Sequence, residues 1–504
     1  MRICLYLDPS RVMQWHLWLA QALADRPGWT VFLGFSATSH PLPRSCTLAL
    51  ALERAIYGLR ESATTDRLTF TGAFPIVNSH DTVAAADVLV DLSGHGDPLP
   101  ACNRVLTPLF NSVPGEIGAM AALLEGGPLR IEIDDTARAE GLLCARPALA
   151  DRSVLVKALD NVLSRAAELI VKALSQPAAY NSVAYNRKTS RPRTPLAPAT
   201  PAAIARIVTV VAHKMIALIG RTAAGGHRWA VAWRLDREAS LLDMHQARLS
   251  VLPDDGRRYY ADPFPFHHEG RNFIFVEEFP FAIERGFISV AEVGADGSIA
   301  PPRPIIEEPH HLSFPFVFEH NGSIWMIPES GDANRIDLYR AEDFPYRWTR
   351  VGSLIDGLAG YDATLFRSGD RFWLFVCLRQ WRSTSWDNLS LFHGTQLTGP
   401  WEPHPGNPVS LDAMWSRPAG ALFRRGGYIW RPAQDCSQIY GGAIGLCRLD
   451  VLTGTRFAQT PVGRIECETF GCHTYNRTNG LEVLDIFGPT ANARHVSAQH
   501  TSVP

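Results

Sequence analysis

Two spacings of apolar residues divide the chain. Up to about residue 175, short apolar runs that read as buried strands (RICLYLD, WTVFLGF, ADVLVDLSG, RVLTPLF, LRIEIDD) alternate with segments of helical spacing, VMQWHLWLAQALA and GEIGAMAALLEG. That alternation predicts a mostly parallel, Rossmann-like α/β sheet with helices on its faces. After Ala261 the pattern changes to short strand pairs around a Gly-centred turn, repeated five times: ADPFPFHHEGRNFIFVEE from Ala261, SFPFVFEHNGSIWMIPES from Ser313, YDATLFRSGDRFWLFV from Tyr361, RPAGALFRRGGYIWRPAQ from Arg417 and CHTYNRTNGLEVLDIF from Cys472. A period of about 50 residues with strands in every copy predicts the blades of an all-β five-bladed propeller. The aromatic positions, among them Phe273, Trp325, Trp373 and Trp430, fall in the repeating apolar pattern and are expected to pack blade against blade.

The expected organisation is an α/β domain over 1–175, a linker with an apolar helix over 176–225, the propeller over 226–490 and a disordered tail over 491–504. The linker stretch QPAAYNSVAYNRKTSRPRTPLAPATPA is too poor in apolar residues to fold alone. Residues 202–220 are apolar, but Arg206, His213 and Lys214 lie within them, which favours a docked helix or peripheral membrane contact over a span. RWAVAWRLD, from Arg228, reads as a strand placed to close the last blade.

Composition adds exclusions. The formal charge of −2 on 504 residues gives no general attraction to nucleic acid. Nine cysteines without a CxxC pair argue against a disulfide framework or a zinc site, and predict reduced thiols in a cytoplasmic protein. With no GxGxxG or GxxxxGK[ST] after any strand, neither cofactor nor metal is expected. The oligomeric state is left open.

A propeller directs equivalent residues of each blade to one axis. Aligned at their first strand, the repeats nominate Asp262, Ser313, Asp362, Arg417 and His473; in the second strand they nominate Glu278 and Glu329, then Cys377 and Ala433. Arg431, Gln434, Asp435 and Tyr440, within RPAQDCSQIYGGAI, offer the mixture of cation, amide, carboxylate and phenol that sugar hydroxyls demand. A second candidate is the loop DLSGHGD, with Asp91 and His95 after a strand of the α/β domain, alongside the reading of a polar surface loop.

ADPF and YDATLF resemble the five-bladed propellers of glycoside hydrolase family 43. That resemblance implies Asp262 as general base and Asp362 as the carboxylate that tunes the acid and orients the sugar. The acid expected at the opening of blade four is replaced here by Arg417, which cannot donate the proton. Glu329 or Glu278 then becomes the displaced acid, and Arg417 and Arg431 become anion clamps. Over the whole C-terminal half, DPFPF, SFPFVFEHNGSIWMIPES, YDATLF, RPAQDCSQIYGGAI and CHTYN resemble the propeller in the N-terminal region of plant glucosamine inositolphosphorylceramide transferases, which implies glycan or glycolipid chemistry without assigning the catalytic step to the propeller. The opening strand, the WHLWLAQAL helix and DVLVDLSG are similar to the N-terminal half of folate-dependent formyltransferases, without a clean version of their catalytic loop.

The expected function is therefore a carbohydrate-active protein with catalytic Asp262, Asp362 and Glu329, transfer being favoured over hydrolysis. Glu278, Ser313, Arg417, Arg431, Gln434, Asp435, Tyr440 and His473 are expected to bind a carbohydrate or glycolipid substrate. The alternatives are a noncatalytic glycan-binding propeller and a formyltransferase-like enzyme using the α/β domain.

Overall fold

A computed structural model of the protein describes residues 1–59, 64–68, 74–77, 85–95, 98–137, 143–175, 205, 208–212, 228–244 and 246–488, and the backbone of 495–501. Most of the expected linker and of the 202–220 helix lies outside the described residues. The chain forms two compact units, Met1–Gly220 with Gln380–Thr384, and Arg221–Arg379 with Ser385–Pro504.

The first unit is built on a mixed sheet. Ile76–Val77, Thr30–Phe35, Arg2–Leu7, Val88–Asp91 and Val105–Phe110 lie side by side in that order, all parallel. Ile131–Asp135 and Leu143–Ala145 extend the sheet antiparallel, so the expectation of a mostly parallel sheet holds for five strands and fails beyond Val105–Phe110. The physical reason is the connection: the helix Gly115–Glu125 begins directly after Val113–Pro114, which folds back on Val105–Phe110, and the chain re-enters the sheet in the reverse direction. Helices Gln14–Ala24, Arg44–Tyr57, Gly115–Glu125 and Leu155–Ser175 complete the unit; the last is buried along nearly all of its 21 residues.

The second unit is a five-bladed β-propeller. Blades one (258–306), two (313–356) and three (360–411) are antiparallel meanders, each in its own sheet. Blade four runs from Phe423–Arg425 to Phe457–Cys467. Blade five combines Tyr475–Thr478 and Leu481–Gly488 with Arg228–Leu235 and Gln246–Val251 from the start of the unit; Leu481–Gly488 pairs along its whole length with Arg228–Leu235, the closure read from RWAVAWRLD. The expected disordered tail is in part a strand. His495–Thr501 pairs with Gln246–Val251 on one side and Phe457–Cys467 on the other, satisfying two edges that would otherwise be open.

Aromatic and β-branched side chains fill the spaces between blades. Phe264, Phe273, Phe314, Phe316, Met326, Leu374 and their neighbours join blades one to three in one cluster, with Trp325 packed against it. Trp430 lies in the core shared by blades four and five, and Trp373 in that shared by blades three and four. Each fully buried Phe or Ile contributes about 1.5–3 kcal/mol relative to exposure, so these clusters hold the blades at a fixed angle about the axis.

Candidate functional site

The site begins with a backbone irregularity common to three blades. In the inner strand of blade one the pairing passes from Ala261↔Glu277 to Phe264↔Phe275, three residues against two. Blade two passes likewise from Ser313↔Glu329 to Phe316↔Ile327, and blade three from Tyr361↔Cys377 to Thr364↔Phe375. One extra residue bends the strand and re-aims its side chains. The first residue of each bulge has positive φ: Asp262 at 49°, Phe314 at 44° and Asp362 at 53°. Such a conformation costs of order 1–3 kcal/mol in a non-glycine residue, and the surrounding hydrogen bonds hold it.

This register corrects the repeat alignment. Ser313 matches Ala261 and Tyr361; the blade-two equivalent of the two aspartates is Phe314, fully buried. In the second strands, Glu277 rather than Glu278 corresponds to Glu329. Glu278 faces the other side of its strand, where it accepts from Ser289 Oγ at 2.7 Å and pairs with Arg258.

Around Asp362 the groups form a buried ion cluster. Arg417 donates from Nε to Asp362 Oδ2 at 2.5 Å and from Nη2 to Asp362 Oδ1 at 3.1 Å and Glu329 Oε2 at 3.4 Å; its Nη1 reaches Ser385 Oγ at 3.0 Å. Gln434 Nε2 donates to Asp362 Oδ2 at 2.7 Å, and the Asp362 N–H donates to Glu329 Oε2 at 3.2 Å. Tyr440 and Tyr361 present their rings to the Arg417 guanidinium at 5.2 and 5.8 Å. Arg417 is thus the counter-ion of Asp362 with a further donor on Glu329, not an anion clamp with donors to spare. Burial, reinforced by the charge of Asp362 and opposed by Arg417, holds the Glu329 carboxyl well above the usual carboxylate range.

Around Asp262 a similar cluster is built with histidine. The Asp262 N–H donates to Asp485 Oδ2 at 3.2 Å; the His473 and Thr474 N–H groups donate to Asp485 Oδ1 at 2.8 and 2.9 Å. His473 Nδ1 pairs with Asp485 and lies 3.4 Å from Asp262 Oδ1. Thr474 Oγ1 donates to Asp262 Oδ1 at 2.8 Å and the Phe314 N–H to Asp262 Oδ2 at 3.2 Å. The His473 ring is flanked by Trp229 at 3.9 Å and Tyr440 at 5.2 Å. Burial pushes Asp262 up to about 6, with His473 opposing and the charges of Asp362 and Asp485 adding. Burial works against a charged His473, but Asp485 and Asp262 outweigh it and raise its pKa. Glu277, beside Tyr259 and 3.4 Å from His311, is held well above its ordinary range by burial and then by Asp262, Asp485 and Asp362.

Asp262, Asp362, Glu329, Arg417, Gln434 and His473 therefore lie in one connected buried arrangement, with the half-buried Tyr440 against both Arg417 and His473. Arg431 and Asp435 do not. The Arg431 guanidinium is consumed by Gln459 Oε1 at 2.9 Å and by the carbonyls of Ser416 and Trp415. Asp435 alternates to the opposite side of the strand from Gln434, accepts from the Ser437 N–H at 3.0 Å and pairs with Arg464 at 3.0 Å. Asp485, Glu277, Thr474 and Trp229 were not singled out by sequence. Asp485 was marked by being the one charge in the second-strand run VLDIF, the blade-five counterpart of the strands that carry Glu277 and Glu329. Among the described residues, Asp262, His473 and Asp485 also form a group whose ligand atoms lie within 4.8 Å of one another, geometry compatible with a metal ion. Those atoms are satisfied by each other as a hydrogen-bonded ion pair, which a metal would have to break.

In the first unit, Asp91 ends its strand and accepts from the Ser93 N–H at 3.0 Å and Ser93 Oγ at 2.6 Å, burial raising its pKa against those bonds. His95 Nε2 lies 3.9 Å from Asp8 Oδ2, its ring 4.3 Å from that of His40. Arg11 links Asp8, Glu116 and the Ser93 carbonyl below them. Gly96 and Asp97 of this loop lie outside the described residues.

Residues 251–484 match the family described as Glucosamine inositolphosphorylceramide transferase 1, N-terminal. The Glucosamine inositolphosphorylceramide transferase 1 of Oryza sativa subsp. japonica is 30% identical over 254 residues, 49% of this chain and 32% of the rice protein. That of Arabidopsis thaliana is 29% identical over 232 residues, 45% of this chain and 30% of its own length. The aligned part of the chain thus spans about a third of these curated relatives. Among solved structures, Zg3597, a family 117 glycoside hydrolase from Zobellia galactanivorans, matches 54% of this chain and 90% of its own at 13% identity and a TM-score of 0.35. The propeller resembles the N-terminal region of the plant transferases, as the repeat motifs implied.

Proposed function

We propose that the propeller is a carbohydrate-active site that moves a glycosyl group by acid–base catalysis, with Asp262 as base and Glu329 as acid. The observation that carries this reading is the different surroundings of two buried carboxyls, both of which burial raises. Asp262 is tied to His473 and Asp485, with its pKa at about 6, so that it is ionised at neutral pH. Glu329, pressed against the Asp362 charge, favours the protonated form. Pairs of carboxyls driven apart in this way divide the roles of acid and base. Glu329 gives its proton to the departing oxygen, and Asp262 takes one from the attacking hydroxyl of water or of a sugar acceptor. Arg417 and Gln434 fix Asp362 beside the acid. The plant relatives, named as glucosamine inositolphosphorylceramide transferases, support a glycolipid bearing a phosphorylated headgroup as the substrate class and transfer as the reaction.

Leaving-group dependence tests the assignment. With a nitrophenyl glycoside, whose phenolate departs unaided, Glu329→Gln is expected to retain most turnover. With an alkyl glycoside it is expected to lose about 10²–10⁴-fold, the range typical of a general acid or base. Asp262→Asn is expected to lose that much on both. Equal turnover of wild type and Asp262→Asn removes the propeller as the reaction centre and leaves it as a glycan-binding module.

A further inference from the structure

The candidate site holds more carboxyls than cations. Asp262, Asp362 and Asp485 are buried with Glu277 and Glu329 near them, and Arg417 and His473 are the cations they share. Arg417 already donates to Asp362, Glu329 and Ser385, and Arg431 is turned to Gln459 and to backbone carbonyls. A phosphate placed among these groups would meet negative charge at short range and no arginine with donors to spare. The phosphate of a phosphorylated substrate therefore needs a cation of its own, outside the buried cluster.

Arg379 meets that need. It follows directly on the strand Arg371–Leu378 of blade three, in which Cys377 pairs with Tyr361. Paired residues share a face of the sheet, and the residue two places beyond Cys377 returns to that face. The contacts agree: the Arg379 guanidinium carbon lies over the Tyr361 ring at 5.8 Å, and that of Arg417 lies 5.8 Å from the same ring. One ring thus joins the buried cation of the site to an exposed one. Because Cys377 corresponds to Glu277 and Glu329, Arg379 corresponds to Phe279 of blade one and Gly331 of blade two. Phe279 stacks on Tyr259 at 4.9 Å, and a Cβ on Gly331 would come within 3.1 Å of the Tyr361 ring. Neither of these blades bears a charge at this place. Among the described residues Arg379 has no hydrogen bond or ion pair; Asp332, exposed in the turn beside Tyr361, acts on that tyrosine without pairing with the arginine. The ring holds the planar guanidinium and leaves its N–H groups free to donate.

We propose that Arg379 anchors the phosphate of a phosphorylated glycosyl substrate and so selects it over neutral glycosides. The inference rests on the reading of the propeller as a glycosyl-transferring site and adds the residue that recognises the headgroup. An arginine suits the task, because its planar fork of N–H groups matches two phosphate oxygens at once. With the phosphate on Arg379, the glycosyl group is left to the carboxyls of the cluster. The added negative charge stays at the surface, where Arg379 is exposed, instead of entering among Asp262, Asp362 and Asp485.

Glycerophosphoinositol, a soluble phosphodiester headgroup, is compared with myo-inositol and with inorganic phosphate as an inhibitor of nitrophenyl glycoside turnover by the full chain. Wild type is expected to be inhibited competitively by glycerophosphoinositol, and at least about tenfold more weakly by myo-inositol. Arg379→Gln is expected to raise the inhibition constant of glycerophosphoinositol by about tenfold or more, the worth of hydrogen bonds to a charged group. The KM of the uncharged glycoside should change far less, and Arg379→Lys should recover part of the loss. Equal inhibition of wild type and Arg379→Gln overturns the proposal, and so does an equal loss of affinity for the phosphodiester and the uncharged glycoside. Inorganic phosphate that inhibits as strongly as glycerophosphoinositol also overturns it, making Arg379 the seat of a free anion. In a chain inactive on every glycoside, calorimetric binding of glycerophosphoinositol that depends on Arg379 would retain the phosphate anchor and reject the catalytic reading instead.

Discussion

Blades three and one carry the same device with different cations. In each, an aspartate at positive φ opens a bulge, and its N–H is held by a carboxylate on the second strand of the preceding blade. Glu329 of blade two holds Asp362, and Asp485 of blade five holds Asp262, both at 3.2 Å. The counter-ion is Arg417 in one case and His473 in the other. Arginine keeps its charge at any relevant pH, whereas histidine titrates near neutrality. The permanent pair gives a fixed framework and the titratable pair a group able to exchange protons, which is why the base is assigned to blade one. Phe314 repeats the bulge without a carboxylate, so the backbone device is structural and the chemistry is added by side chain.

Breaking the permanent pair should be the larger perturbation. Arg417→Met leaves the Asp362 carboxylate buried without its cation, and unfolding in denaturant should show a loss of about 3–5 kcal/mol. His473→Gln keeps a hydrogen-bonding side chain, and at pH 8 should cost about 1–3 kcal/mol. Equal losses would mean that the two clusters do not differ as described.

The titratable groups also set the direction of stability with pH. Asp262, Glu277, Glu329 and His473 all have raised pKa values in the folded state. Above the ordinary carboxylate range the folded protein therefore binds more protons than the unfolded chain, and these groups make stability fall as pH rises. Lys172, His310, His311 and His393, whose pKa values burial lowers, act in the opposite direction over about pH 5 to 8, so the test is a difference: Glu329→Gln should lose stability less steeply, or gain it more steeply, with rising pH than wild type. A melting-temperature profile that Glu329→Gln leaves unchanged in slope would contradict the protonation state proposed for Glu329.

Much of the propeller was legible because its strands repeat one apolar pattern and because Arg228–Leu235 reads as an edge in need of a partner. The site was legible where a polar residue interrupts that pattern at the start of a blade, as at Asp262, Asp362, Arg417 and His473. The exact register was not legible: sequence alone leaves about one residue of slack at the turns, so the polar Ser313 was aligned in place of its apolar neighbour Phe314, and Glu278 in place of Glu277. Arg431 and Asp435 sit in the densest polar motif, but strand alternation and local partners turn them away from the axis. His495–Thr501 carries little apolar signal, and its partners are strands far away in sequence.

The central claim, that Asp262 is a base whose ionisation is assisted by His473, is tested most directly by the pH dependence of kcat/KM on a nitrophenyl glycoside. Wild type should rise through about pH 6 as Asp262 loses its proton. In His473→Gln the cation that favours the carboxylate is gone while burial and the charges of Asp362 and Asp485 remain, so the rise should move to higher pH. A rise that stays in place, or moves to lower pH, would contradict the account.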